Sequence, residues 1–127
     1  MNIAARNRAI KSTLAKAFGH GKVTVRGSRG TAWGYVRVQI NHTPRDWEQS
    51  LALQRHCKAL LRAAGIDLGF AYTDDTCQHA TDQCSISFNR CRFERVFAGQ
   101  DTGQLYGKPW DSEEWIAIPR ADSQAGR

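Results

Sequence analysis

The sequence predicts an α+β fold: an antiparallel sheet of four to five strands with two helices packed on one face, in the order α-β-β-α-β-β. Three observations carry that expectation. Apolar residues recur at helical spacing near the N-terminus and again from residue 47 to residue 64. The segments KVTVRG and WGYVRVQI alternate apolar and polar residues on either side of a glycine-rich loop. Two to three more short strand-like runs follow the second helix.

The first helix is read over residues 3–17, IAARNRAIKSTLAKA. Ile3, Ile10, Leu14 and Ala17 form its apolar stripe, with Phe18 following, while Arg6, Arg8, Lys11 and Lys16 fall largely away from it. The GHG of residues 19–21 ends it, because glycine accepts the left-handed cap conformation. In the hairpin, Val23, Val25, Val36, Val38 and Ile40 share one face, and Thr24, Arg26, Tyr35, Arg37 and Gln39 the other. Thr43 is read as the N-cap of the second helix, Pro44 as its first residue and Asp46 as the capping-box acid. Trp47, Leu51, Leu60, Leu61 and Ala64 mark its apolar face, and Gly65 stops it. LGFAYT is then a third strand and CSISFN a fourth, with Cys84, Ile86 and Phe88 together; CRFERVF is a fifth, joined by a tight turn at Asn89-Arg90. Residues 1–97 form the α+β domain, and residues 98–127 a loop-rich extension with a short strand at 114–119.

With 127 residues, 41% of them apolar and 24% charged, the chain has the size and composition of one globular domain. No apolar run is long enough to span a membrane, and the N-terminus lacks the apolar core of a secretory signal, so a cytoplasmic protein is expected. In that reducing setting Cys57, Cys77, Cys84 and Cys91 stay thiols. The net charge of +6 is unevenly spread: residues 1–66 hold twelve Lys/Arg against two acids, and residues 67–127 six against ten. The basic half suits nucleic acid or an acidic protein surface, or is a solvated helix face.

The sequence offers residues for four chemistries. GSRGTAWG lacks the Gly-Lys-Ser/Thr of a P-loop and runs into a strand rather than a helix, so it is a hairpin loop and not a phosphate cradle. Cys77, His79, Cys84 and Cys91 have the donor chemistry of zinc ligands but not the paired two-residue spacing of zinc modules, so neither a metal nor another cofactor is expected. Asp74, Asp75 and Asp82 near Cys77 and His79 read as a solvated acidic loop before they read as a catalytic group. Arg26, Arg29, Trp33, Tyr35 and Arg37 set arginines beside aromatics on one sheet face, which suits stacking and phosphate contact or a protein interface.

The text LAKAFGHGKVTVRGSRGTAWGYVRVQINHTPRDWE, followed by GFAYTDDTCQHATDQCSISF, resembles a small domain of the large polyvalent proteins of phages and other mobile elements. The resemblance spans about Lys11 to Phe88 and leaves residues 98–127 outside it. It implies a mobile-element origin, a setting in which small proteins neutralise host defence. The expectation is a non-enzymatic inhibitor of a host-defence nucleoprotein complex, of anti-CRISPR type, with no small-molecule substrate and no membrane partner. Its contact residues are Arg26, Arg29, Trp33, Tyr35 and Arg37, with Asp74, Asp75 and Asp82 as a second surface. The alternative is a small accessory protein that binds DNA or RNA through the basic half.

Overall fold

The computed structural model describes residues 3–27, 35–69 and 82–119. The fold class is α+β, with helices α1 (Ile3–Phe18) and α2 (Trp47–Ala63) and strands β1 (Val23–Gly27), β2 (Val36–Ile40), β3 (Cys84–Phe88), β4 (Phe93–Ala98), β5 (Leu105–Pro109) and β6 (Ile116–Ala117). Among the described residues no helix is long and apolar enough to cross a membrane. The chain divides into two compact units: Met1–His42 with His56–Ser87, and Thr43–Arg55 with Phe88–Arg127.

In the first unit, α1 buries Arg6, Ile10, Leu14 and Ala15. The stripe is therefore rotated from the expected one. Ala17 is exposed, and the guanidinium-bearing Arg6, expected outside, is 6% exposed. Arg6 continues the i, i+4, i+8 line of Ile10 and Leu14 and donates to Asn7 Oδ1 from Nε and Nη2, at 3.3 and 3.2 Å. The hairpin alternation holds. Val36, Val38 and Ile40 are buried, while Arg37 and Gln39 are exposed, as period-two geometry requires. β1 and β2 pair antiparallel, Val23 opposite Ile40 and Gly27 opposite Val36. β2 is the central strand of a sheet ordered β1-β2-β3. Cys57 and Leu61 of α2, Ile66, Leu68, Cys84 and Ile86 complete this core. Full burial of side chains such as Ile10, Leu14, Ile40 and Leu61 contributes roughly 1.5–3 kcal/mol each.

The single sheet of four to five strands is not seen among the described residues. The strands divide into two three-stranded sheets, the second ordered β4-β5-β6. The expected turn at Asn89-Arg90 does not pair β3 with β4, because the Arg92 and Phe93 amides donate instead to the carbonyls of Pro44 and Arg45, both at 2.8 Å. β4 thus starts against the segment that leads into α2. Of the expected third strand, Leu68 and Gly69 lie in no strand, and residues 70–73 lie outside the described residues. Residues from 98 onward, expected as an extension, supply β5 and β6, and Ile116–Ala117 falls within the expected 114–119 strand.

The start of α2 also differs from expectation. Thr43 does not cap it. Asp46 Oδ1 accepts the Gln49 amide at 2.8 Å, and the Gln49 side-chain oxygen accepts the Arg45 amide. Asp46 is the N-cap, three residues later than the sequence pattern placed it, because Pro44 and Arg45 lend their carbonyls to β4. Replacing Asp46 with Ala is expected to cost about 0.5–2 kcal/mol, read as a lower urea midpoint at unchanged m. Asp46→Asn, which keeps the acceptor, should recover most of it.

Among the described residues the second unit's core is small: Pro44, Cys91, Phe93 and Ile118 are its buried apolar side chains. β4 and β5 pair antiparallel with a register shift between Phe93 and Arg95, and β5 pairs with β6. Gln104 ties β5 to the following segment by donating to the Leu105 and Ile118 carbonyls, both at 2.8 Å.

Candidate functional site

The antiparallel register sets Arg26 directly opposite Arg37, and Thr24 opposite Gln39. All four are exposed, on the face away from buried Val23, Val36 and Val38. Directly opposed Cβ atoms lie about 4.5–5.5 Å apart, and like charges so placed destabilise a strand pair by several tenths of a kcal/mol. Among the described residues neither guanidinium has an ion pair. Two planar, permanently charged donor forks on directly opposed backbone positions can together bind an anion with several oxygens, a phosphate or a carboxylate. Tyr35 is half-buried just before β2. Arg29 and Trp33 lie outside the described residues, as do Asp74 and Asp75.

Asp82 is engaged within the first unit. Its Oδ1 takes the Lys58 ammonium at 2.6 Å and the Cys84 amide at 3.1 Å, and its Oδ2 takes Arg62 at 3.2 Å. Lys58 and Arg62 are one turn apart on α2, so one carboxylate spans both. This arrangement ties the start of β3 to the helix and leaves Asp82 little freedom to meet a partner.

The spatial units sharpen the charge asymmetry. Met1–His42 with His56–Ser87 hold ten Lys/Arg and four acids, whereas Thr43–Arg55 with Phe88–Arg127 hold eight of each. The whole surplus of six therefore belongs to the first unit. Nine Lys/Arg precede the first acid, Asp46.

The described cysteines are buried free thiols. Burial, with nearby Cys84, pushes the Cys57 thiol up to about 12. Burial pushes Cys84 up to about 11, with Asp82 adding to the rise and Lys58 and Arg6 opposing it. Cys91 is raised too, by burial and then by Asp46. Such thiols are poor nucleophiles at neutral pH. Among the described residues no group of three or more His, Cys, Asp or Glu is placed to hold a metal ion. Cys77 and His79 lie outside the described residues. At pH 8 a thiol reagent is expected to spare Cys57 and Cys84 in the folded protein and to modify them in denaturant. Peptide mass spectrometry checks this, and prompt labelling of native Cys57 would contradict it. These thiols keep their protons in the folded chain at pH values where an unfolded chain loses them. Their contribution to stability therefore falls as pH rises from about 9 towards 11.

The second unit carries an aromatic face that sequence reasoning missed. Trp47 is 61% exposed, Phe97 47% and Trp115 40%. Phe97 meets Trp115 edge-on at 4.8 Å between centroids and stacks on Tyr106 at 5.4 Å. A cleft of about 500 Å³ opens among Trp47, Glu48, Glu94, Arg95, Phe97 and Trp115. Glu94 is committed to Lys108 at 3.1 Å, which with Glu113 raises the lysine's pKa. Arg90 lies 4.7 Å from the centre of the Trp110 ring, a cation–π contact. Helical spacing made Trp47 look like core; its position at the first turn of α2, just after the cap, turns it outward.

No family model matches this chain, and no curated protein or solved structure does.

Proposed function

We propose that this chain is a non-enzymatic binding protein of a mobile element that engages and inhibits a host-defence nucleoprotein complex, of anti-CRISPR type. Its first unit contacts an anionic surface of that complex. The observation that carries the anionic contact is the opposition of Arg26 and Arg37 on an exposed strand face. A sheet that gained nothing from this pair would be better served by an acid at either position. The surplus charge of the first unit supports the same reading, since it draws an anionic partner from a distance. The mobile-element setting rests on the resemblance of residues 11–88 to domains of polyvalent phage proteins.

The test is capture of a purified defence effector on the immobilised chain with nuclease present. Recovery at fixed stoichiometry, with loss of effector activity, supports the reading. Failure to bind any effector of a susceptible host overturns it. The second reading, direct binding of DNA or RNA, is favoured by the same arginine pair. It predicts binding of a plain oligonucleotide with affinity that falls steeply as salt rises.

A further inference from the structure

A second basic feature of the first unit does not involve the strand face. Arg8, Lys11, Ser12 and Ala15 are spaced i, i+3, i+4 and i+7, so they line one side of α1. Gly19 and Gly21, both at positive φ (110° and 84°), fold the chain back at the end of the helix and bring His20 to that side. The Gly19 amide donates to the Ala15 carbonyl at 2.8 Å and closes the turn. The result is a cleft of about 270 Å³ whose walls are Arg8, Lys11, Ser12 and His20 and whose floor includes buried Ala15 and Val23.

Among the described residues every ionisable side chain lining this cleft is basic, and α1 contains no acid. Among the described residues Arg8, Lys11 and His20 form no ion pair. Two permanent cations, an imidazole and a hydroxyl around one concavity offer donors from several directions. That suits the tetrahedral oxygens of a phosphate better than the two coplanar oxygens of a carboxylate. The apolar floor excludes water from one side and strengthens the charge interaction. Val23 projects to the buried face of β1 and Arg26 to the exposed face, so the cleft is separate from the arginine pair.

We propose that this cleft is a phosphoryl-group site in which Arg8 and Lys11 neutralise the anion while Ser12 and His20 hydrogen-bond its oxygens. The ligand is a phosphate ester, either a small free one or a phosphate of a nucleic-acid strand.

The experiment is a nuclear magnetic resonance titration of the isotopically labelled full chain with inorganic phosphate, with a 5′-phosphorylated single-stranded oligonucleotide and with its unphosphorylated counterpart. Sodium chloride at matched ionic strength is the control. Saturable shifts at Lys11, Ser12 and His20 support the site. Saturation at lower concentration with either oligonucleotide assigns it to nucleic acid, and with inorganic phosphate alone to a small phosphate. Lys11→Gln and Arg8→Gln should each weaken binding about tenfold, the loss of one charged hydrogen bond, and Lys11→Arg should retain it. Both positions are exposed, and an unchanged native spectrum verifies the fold of each variant. Arg26→Glu leaves the shifts with inorganic phosphate unaltered, so the cleft and the strand-face reading fail separately. Shifts no larger than those in sodium chloride, or affinity unchanged in both glutamine variants, would overturn the proposal.

Discussion

Arg26→Glu is expected to make the protein more stable and a worse binder. In the folded chain Arg26 faces Arg37 across the β1–β2 ladder and makes no ion pair among the described residues. A glutamate there turns a repelling pair into an attracting one, a gain of about 0.2–1 kcal/mol, equivalent to a rise of a few degrees in Tm. The same change replaces a phosphate-binding fork with a carboxylate. Affinity for the partner, whether effector complex or oligonucleotide, should fall at least about tenfold at low salt, and the salt dependence should flatten. Arg26→Lys separates charge from shape: a point charge keeps the electrostatic attraction but loses the bidentate fork, so an intermediate affinity is expected. Thermal denaturation and fluorescence anisotropy on the same preparations read the two effects. Binding that survives Arg26→Glu undiminished removes the strand face from the mechanism, whatever the stability shows.

Gly107→Ala should destabilise the second unit by about 1–3 kcal/mol, although it adds one methyl group in a strand. Gly107 sits in β5 between Val96 of β4 and Ile116 of β6. A Cβ built there would lie 2.6 Å from Phe93 Cδ1, 2.7 Å from Phe93 Cγ and 3.1 Å from Ile118 Cδ1. Phe93 and Ile118 are the buried aromatic and aliphatic side chains of this small core, so the ring has no solvent into which to move. The clash identifies its own remedy. Phe93→Leu trims the ring, and the double variant should lose less stability than the two single losses combined. Strict additivity, or a Gly107→Ala protein as stable as the parent, would mean that the ring relaxes elsewhere.

The same glycine explains why part of the fold was hard to read from the sequence. A strand containing Gly107 and ending at Pro109 has the composition of a loop, and β5 was expected as one. The glycine is there because a ring from β4 fills the space above it, a tertiary fact that no local pattern carries. The β1–β2 alternation was legible because one face is buried and a period of two leaves little choice of which residues face inward. CSISF and FERVF were legible as strands, but not as members of different sheets. That depends on the carbonyls of Pro44 and Arg45, nearly fifty residues upstream of the amides they accept. Those carbonyls also shift the cap of α2 to Asp46.

The candidate surfaces divide in the same way. Arg26 and Arg37 could be placed on one face by counting residues, and the register adds that they are direct partners. The α1 cleft was not legible, because His20 reaches Arg8 and Lys11 only through the backbone reversal at Gly19 and Gly21. Arg6 was misread as a surface charge, since sequence periodicity gives a basic residue no reason to point inward.

The distribution of tryptophan has a practical side. Trp47, Trp110 and Trp115 all belong to the second unit, and the only other indole in the chain is Trp33. The excess positive charge belongs to the first. Intrinsic emission is therefore weighted towards the second unit, whereas elution from an ion exchanger follows the first. Helix α1 and the C-terminal half of α2 lie in the first unit, so helical ellipticity is weighted towards that unit. Recording emission and ellipticity on one denaturant series asks whether this 127-residue chain melts as one cooperative body or in two stages, and requires no label.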